Sequence, residues 1–161
     1  MNLSITTDYA LRILIYIGHR PPETCVTVGE IADAYGISKN HLMKVAARLR
    51  DGGYIVAVRG NGGGVRLSGD PEILNIGEVV RYTEDDFGLV SCMRDDGHIC
   101  RIFSACILRV ALGKALDAFL GELDRVTLAD LLGAKPLLEE IFLSQLSNAS
   151  ASPAALSETT G

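Results

Sequence analysis

The sequence predicts a mainly α-helical chain of the α+β class, with one small β-hairpin set among its helices. Three observations predict it. Two short helical patterns are joined by the turn Gly36-Ile-Ser38, two β-forming runs flank the glycine run Gly60-Asn-Gly-Gly-Gly64, and a long apolar stripe occupies residues 107–123. The chain has 161 residues, 48% hydrophobic and 22% charged, which suits one domain, or one small domain with an appendage, around a real core.

Thr6 and Thr7 are read as caps for a first helix over Asp8 to Gly18, where Leu11, Leu14, Ile15 and Gly18 recur at helical spacing before Pro21 and Pro22 end it. Thr27 with Glu30 three residues on forms a capping-box pattern for a short helix that Gly36 closes. Ser38 opens the next helix, Lys39 to about Arg50, with Leu42, Val45, Ala46 and Leu49 as its apolar stripe. Two short helices around a tight turn outline a helix-turn-helix. Tyr54 to Val58 and Val65 to Leu67 then read as strands around a glycine-rich turn, and a basic hairpin directly after a helix-turn-helix is a wing. A nucleotide-binding phosphate loop is excluded because no Gly-Lys-Ser/Thr follows and no helix opens there.

Asn75 is placed to cap a helix over Ile76 to Thr83, after which residues 84–106 turn polar and carry cysteines. Leu108, Leu112, Ala115, Phe119 and Leu123 give the helix over about 107–123 its stripe. Because the N-terminal unit has a core of its own, this stripe is expected to pack against its counterpart in a second subunit rather than back on its own chain. Thr127 to Leu131 and Pro136 to Leu143 read as short helices. Residues 144–161 read as a disordered tail. The expected organisation is a winged helix-turn-helix over 1–70 and a loop-and-helix arm over 71–143.

The net charge of −5 argues at first against a nucleic-acid partner, since affinity for phosphate rests on positive charge. Its distribution reverses that. Residues 1–70 hold eight Lys and Arg against six Asp and Glu, a net +2; residues 71–161 hold seven against fourteen, a net −7. Within Ser38 to Ser68, Lys39, Lys44, Arg48, Arg50, Arg59 and Arg66 face only Asp51. The predicted winged helix is locally basic. Lys39, Lys44, Arg48 and Arg50 are candidates for phosphate, Ser38, Asn40 and His41 at the helix start for the DNA surface and base edges, and Arg59, Asn61, Gly62, Gly63 and Arg66 for the wing's approach to a groove.

Met1 to Ala10 carries no targeting pattern, and no run approaches the ~18 apolar residues of a membrane span, so a cytoplasmic, membrane-free protein is expected. Four cysteines in that setting read as thiols, metal ligands or redox sensors sooner than as disulfides. Cys92, Cys100 and Cys106 fall within 15 residues, seven and five residues apart, while Cys25 lies far off and reads as a small hydrophobe. The wide spacing lacks the Cys-x2-Cys knuckle of structural zinc and suits an iron-sulfur cluster; a thiol sensor and inert cysteines are the alternatives. No nucleophile with a base, paired carboxylates or cofactor motif marks an enzyme.

The segments Thr7-Asp-Tyr-Ala-Leu-Arg12, Tyr35-Gly-Ile-Ser-Lys-Asn-His-Leu-Met-Lys44, Gly53-Tyr-Ile-Val-Ala-Val-Arg-Gly60, Gly63-Gly-Val-Arg-Leu67, the three-cysteine loop and Leu123-Asp-Arg-Val-Thr-Leu-Ala-Asp-Leu131 occur in order over roughly residues 1–143. On them the chain resembles the Rrf2 family of winged-helix iron-sulfur regulators, and within it the nitric-oxide-sensing branch. The resemblance implies a homodimeric repressor bound to an inverted-repeat double-stranded DNA operator. It also implies an iron-sulfur cluster, [4Fe–4S] before [2Fe–2S], held by Cys92, Cys100 and Cys106, with Asp8 of the partner subunit as oxygen ligand. Asp95, Asp96 and His98 are rival fourth ligands, and a first-turn aspartate such as Asp8 is also favourable at a helix N-terminus without any metal. The seven residues between Cys92 and Cys100 depart from the nitric-oxide-sensing pattern and resemble the iron-responsive branch. Signal is therefore open between nitric oxide and iron status, with a metal-free thiol switch as a further reading.

Overall fold

The computed structural model describes residues 2–60, 62–94, 100–133, 137–138 and 140–142. Along them run α1 (Ile5–His19), α2 (Val28–Tyr35), α3 (Lys39–Asp51), β1 (Ile55–Val58), β2 (Gly64–Leu67), α4 (Ile76–Thr83), α5 (Ile107–Leu123) and α6 (Leu128–Leu131), with short 3-10 turns at Ser91–Met93 and Phe103–Ala105. The mainly α, α+β expectation holds. The expected disordered tail, 144–161, lies outside the described residues, as do Asn61, Asp95, Asp96 and His98.

Local chemistry accounts for most helix ends. The Thr27 hydroxyl accepts from the Glu30 amide while the Glu30 carboxylate accepts from the Thr27 amide, the reciprocal pair that satisfies two orphan donors. Gly36, at φ 63°, closes α2 in a left-handed conformation. Asn75 caps α4 through the Glu78 amide. One expectation is corrected. The cap of α1 is Ser4, whose hydroxyl accepts from the Thr7 amide, so the helix starts at Ile5 and not at Asp8. Thr7 is buried inside the first turn, facing α4.

α1 is the central element. Ala10, Ile13, Leu14, Tyr16 and Ile17 are all buried, and the helix packs against α3, α4, α6 and β2. From α2 and α3, Ile31, Leu42, Val45 and Leu49 close over it, completing a core of the helix-turn-helix. β1 and β2 pair antiparallel, Ile55 opposite Leu67 and Val58 opposite Gly64. Val26 docks on the outer edge of β2 through Val65, with N–H to carbonyl distances of 2.9 and 2.8 Å in the two directions. The wing is thus anchored to the strand-like residue that leads into α2.

α5 packs against α4. At its far end the Ile76 amide donates to the Val126 carbonyl at 2.9 Å, the Leu128 amide donates to the Leu74 carbonyl at 2.8 Å, and the Arg81 guanidinium pairs with the Asp124 carboxylate. Leu120, Leu123 and Val126 lean on the core. No residue of α5 is buried: Ile107 is 83% exposed and Leu108 64%. Among the described residues, no helix is long and apolar enough to cross a membrane.

Candidate nucleic-acid interface and metal centre

The sequence pattern of α3 divides it into two faces, and the structure keeps the division. Leu42, Val45, Ala46 and Leu49 are buried, while Ser38, Lys39, Asn40, His41, Met43 and Lys44 project outward. This is the arrangement in which an anchored helix offers its N-terminal half to a groove. Met43, 53% exposed among polar neighbours, was absent from the sequence-derived candidates because its type marks it as core. Its helical position, between the buried Leu42 and the exposed Lys44, carried the signal.

At the C-terminal end of α3 the arginines have partners of their own. Arg50 pairs with the neighbouring Asp51 carboxylate at 2.7 Å and is exposed. Arg48 turns toward α4: its guanidinium donates to the Tyr82 carbonyl at 2.8 Å and to the Asp85 carboxylate at 2.7 Å, and lies 5.7 Å from the Tyr82 ring centroid. The hydrogen bond from Arg48 holds the Asp85 carboxyl below the usual carboxylate range.

In the wing, Arg59 and Gly62 are exposed, and Gly60 and Gly62 adopt φ of 107° and 78°, a turn that side-chain-bearing residues resist. Gly63 lies at the base of this turn, its amide donating to the Gly60 carbonyl at 3.0 Å. Arg66 sits lower, partly covered, donating at 3.3 Å to the Glu23 carboxylate and to the Leu67 carbonyl. The exposed candidates therefore gather at the start of α3 and the wing tip, with Arg50 exposed at the other end of α3. Arg48 and Arg66 flank them, each engaged within the chain.

The three cysteines lie along the segment that leads into α5. Cys92 is in the first 3-10 turn, Cys100 accepts at its carbonyl from the Phe103 amide opening the second, and Cys106 caps α5, its Sγ accepting from the Arg109 amide at 3.4 Å. All three are free thiols and half-buried, as is Cys25. Asp8, one turn into α1, holds the Arg12 guanidinium at 3.0 Å.

Among the described residues, no group of three or more His, Cys, Asp or Glu side chains stands close enough together to hold a metal. The donor set nonetheless fits an iron-sulfur cluster in kind. Three unpaired thiols are soft ligands, and neither 3-10 turn buries a residue, so drawing them together displaces nothing from the core.

Comparison with known proteins agrees with this anatomy. The chain is 49% identical over 135 residues to the HTH-type transcriptional regulator NsrR of Bacillus subtilis, covering 84% of this chain and 92% of that protein. It is 47% identical over 132 residues to NsrR of Bacillus licheniformis, covering 82% and 92%. The structure of CymR, the global cysteine regulator of B. subtilis, superposes with a TM-score of 0.64 at 25% identity, covering 81% of this chain and 95% of that one. Residues 3–134 match the family described as Rrf2, iron-dependent transcriptional regulator. The chain, a winged helix with a free-cysteine segment leading into its longest helix among the described residues, belongs to the Rrf2 family of transcriptional regulators.

Proposed function

We propose that the protein is a homodimeric repressor that binds an inverted-repeat operator and carries an iron-sulfur cluster, [4Fe–4S] before [2Fe–2S], through which nitric oxide releases it from DNA. The observation that carries the reading is the pairing, in one chain, of an exposed polar face on α3 with three free thiols at the foot of an uncovered apolar helix.

On DNA, Lys39, Lys44 and Arg50 would meet phosphates, and Asn40 and His41 base edges. Arg59 and the Asn61-Gly62-Gly63 tip would enter or flank the minor groove, with Arg66 behind them. Losing a base contact costs roughly 1 to 3 kcal/mol and relaxes specificity, whereas losing a phosphate contact weakens all sequences alike. Asn40→Ala is therefore expected to reduce discrimination between operator and scrambled duplex.

Cys92, Cys100 and Cys106 would hold the cluster as thiolates, and Asp8 of the partner subunit would supply the remaining oxygen ligand. When bound, the cluster would supply iron as the group that reacts with nitric oxide. Asp8 belongs to α1 of the DNA-binding unit and the cysteines to the arm, so a ligand shared between subunits ties the angle between the two wings to an intact site. A carboxylate binds iron less firmly than a thiolate, which puts the labile ligand at the joint.

The test is anaerobic purification with absorbance spectroscopy and iron and sulfide assay, followed by nitric oxide titration while operator binding is measured. The expected result is a coloured protein that leaves its operator as nitric oxide is added. Release on iron depletion with no response to nitric oxide would instead identify an iron-responsive repressor, the reading favoured by the Cys92 to Cys100 spacing. A colourless, iron-free protein would identify a thiol switch.

A further inference from the structure

Arg48 lies on the recognition helix, is basic, and occupies a place where a phosphate contact is the obvious role. Its surroundings point elsewhere. The guanidinium is bound by the Tyr82 carbonyl and the Asp85 carboxylate, and the Tyr82 hydroxyl donates back to the Arg48 carbonyl at 3.0 Å. The Tyr82 ring packs so closely over the exit of α3 that a Cβ at Gly52 would collide with it, and it meets the Tyr54 ring at a tilt of 57° with centroids 5.5 Å apart. The C-terminal half of α3 is therefore fastened to the end of α4 by side chain and backbone together.

Residues 82–85 hold a second helix as well. Between Tyr82 and Asp85, Thr83 receives the Thr7 hydroxyl at 2.9 Å and the Glu84 carboxylate receives the Ser4 amide at 2.5 Å. One four-residue stretch thus grips both the recognition helix and the start of α1, and six residues after Asp85 the chain enters the turn that holds Cys92.

We infer that Arg48 is a positioning residue: with Tyr82 and Asp85 it clasps the recognition helix at the angle required for operator binding, and it does not itself contact DNA. The inference rests on the DNA-binding reading above. Asp85 belongs to the same continuous stretch of chain as Cys92, so the clasp joins the cysteine segment to α3 by a covalent and hydrogen-bonded route.

The experiment measures operator affinity of the full-length protein across a salt series for wild type, Arg48→Ala, Asp85→Asn and the double variant. A clasp predicts that Arg48→Ala weakens binding by roughly fivefold. It predicts that Asp85→Asn weakens it as well, that the double variant is no worse than Arg48→Ala alone, and that the salt slope stays at its wild-type value. A phosphate contact predicts the reverse pattern. Arg48→Ala would then flatten the salt slope by about one unit, and Asp85→Asn, which removes a negative charge beside the DNA, would tighten binding; either result overturns the inference. Amide hydrogen exchange along α3 in the absence of DNA reads the clasp separately, with faster exchange expected in both single variants. Wild-type exchange rates in both would overturn it, whereas wild-type protein that bound no duplex would count against the DNA-binding reading alone.

Discussion

The hydroxyl of Thr7 donates to the hydroxyl of Thr83 across 2.9 Å, joining two residues 76 positions apart, neither of which reaches solvent. Thr83 passes the bond on to the Val79 carbonyl at 2.8 Å, and Ser4 stands 3.2 Å from the Thr7 hydroxyl. The pair fixes the first turn of α1, and with it Asp8, against the helix from which the cysteine segment departs. Thr83→Val keeps the shape and leaves Thr7 with a poorer partner, so a loss of about 1 to 2 kcal/mol is expected in denaturant unfolding. The Thr7→Val, Thr83→Val double variant should lose less than the two singles added together, because no buried hydroxyl is then stranded. Strict additivity would show that the two hydroxyls are not coupled.

Tyr35 ends α2 just before the turn into the recognition helix, with edge-on contacts to Tyr16 at 6.1 Å and Phe142 at 5.3 Å. Burial pushes its phenol up from the ordinary 10.0 to about 12, against the opposing charge of Arg12, 5.7 Å from its ring centroid. The unfolded chain therefore loses this proton first as pH rises. The stabilisation is complete below pH 10.0 and declines from there to about 12, where the folded form also ionises. Melting temperatures of wild type and Tyr35→Phe measured from pH 8 to 12 should converge or cross within that window. Parallel curves would falsify the assignment.

Signals carried within one turn of helix were legible in the sequence, and those carried across the fold were not. Thr27, Glu30 and Gly36 bound α2 through neighbours three or four residues away, and Asn75 announces α4 in the same way. Thr7 looked like a cap for the same local reason, but its hydroxyl is committed to Thr83, and Ser4 takes the cap. Arg48 and Arg66 read as free cations because Asp85 and Glu23, 37 and 43 residues away, are invisible to periodicity. Cys92, Cys100 and Cys106 announce their chemistry by type and spacing. Among the described residues they do not stand together as one ligand group, and no local pattern encodes whether they meet.

Gly64 tests the wing's root. It sits where β2 meets the backbone of Val26, and a Cβ there would run into the Val26 carbonyl, which cannot move without breaking its bond to the Val65 amide. Gly64→Ala should cost about 1 to 3 kcal/mol through this overpacking and lower operator affinity by tilting the hairpin. Gly69→Ala is the control. Its Cβ would meet nothing within 4 Å, so a change within about 0.5 kcal/mol is expected. Equal effects of the two, by thermal unfolding and operator titration, would show that the contact at Val26 does not fix the wing.

The uncovered side of α5 makes the last prediction. Ile107, Leu108 and Val110 are 83%, 64% and 50% exposed, and Ile102 and Phe103 extend the patch before the helix begins. Along the same helix Leu112, Leu116 and Phe119 face Leu3, Phe87 and Leu89 across an open cleft of about 740 Å³. Exposed large apolar side chains grouped in this way mark an interface, and they sit at the N-terminal end of the helix, beyond the part that faces its own chain. Leu108→Asp places a charge in that surface but touches no part of the monomer core. Sedimentation should therefore show a shift from dimer toward monomer, with far-ultraviolet circular dichroism unchanged. Operator affinity should fall with it, since a single wing and recognition helix read only one half-site. A Leu108→Asp protein that remained dimeric and bound its operator as wild type does would place the subunit interface elsewhere on the molecule.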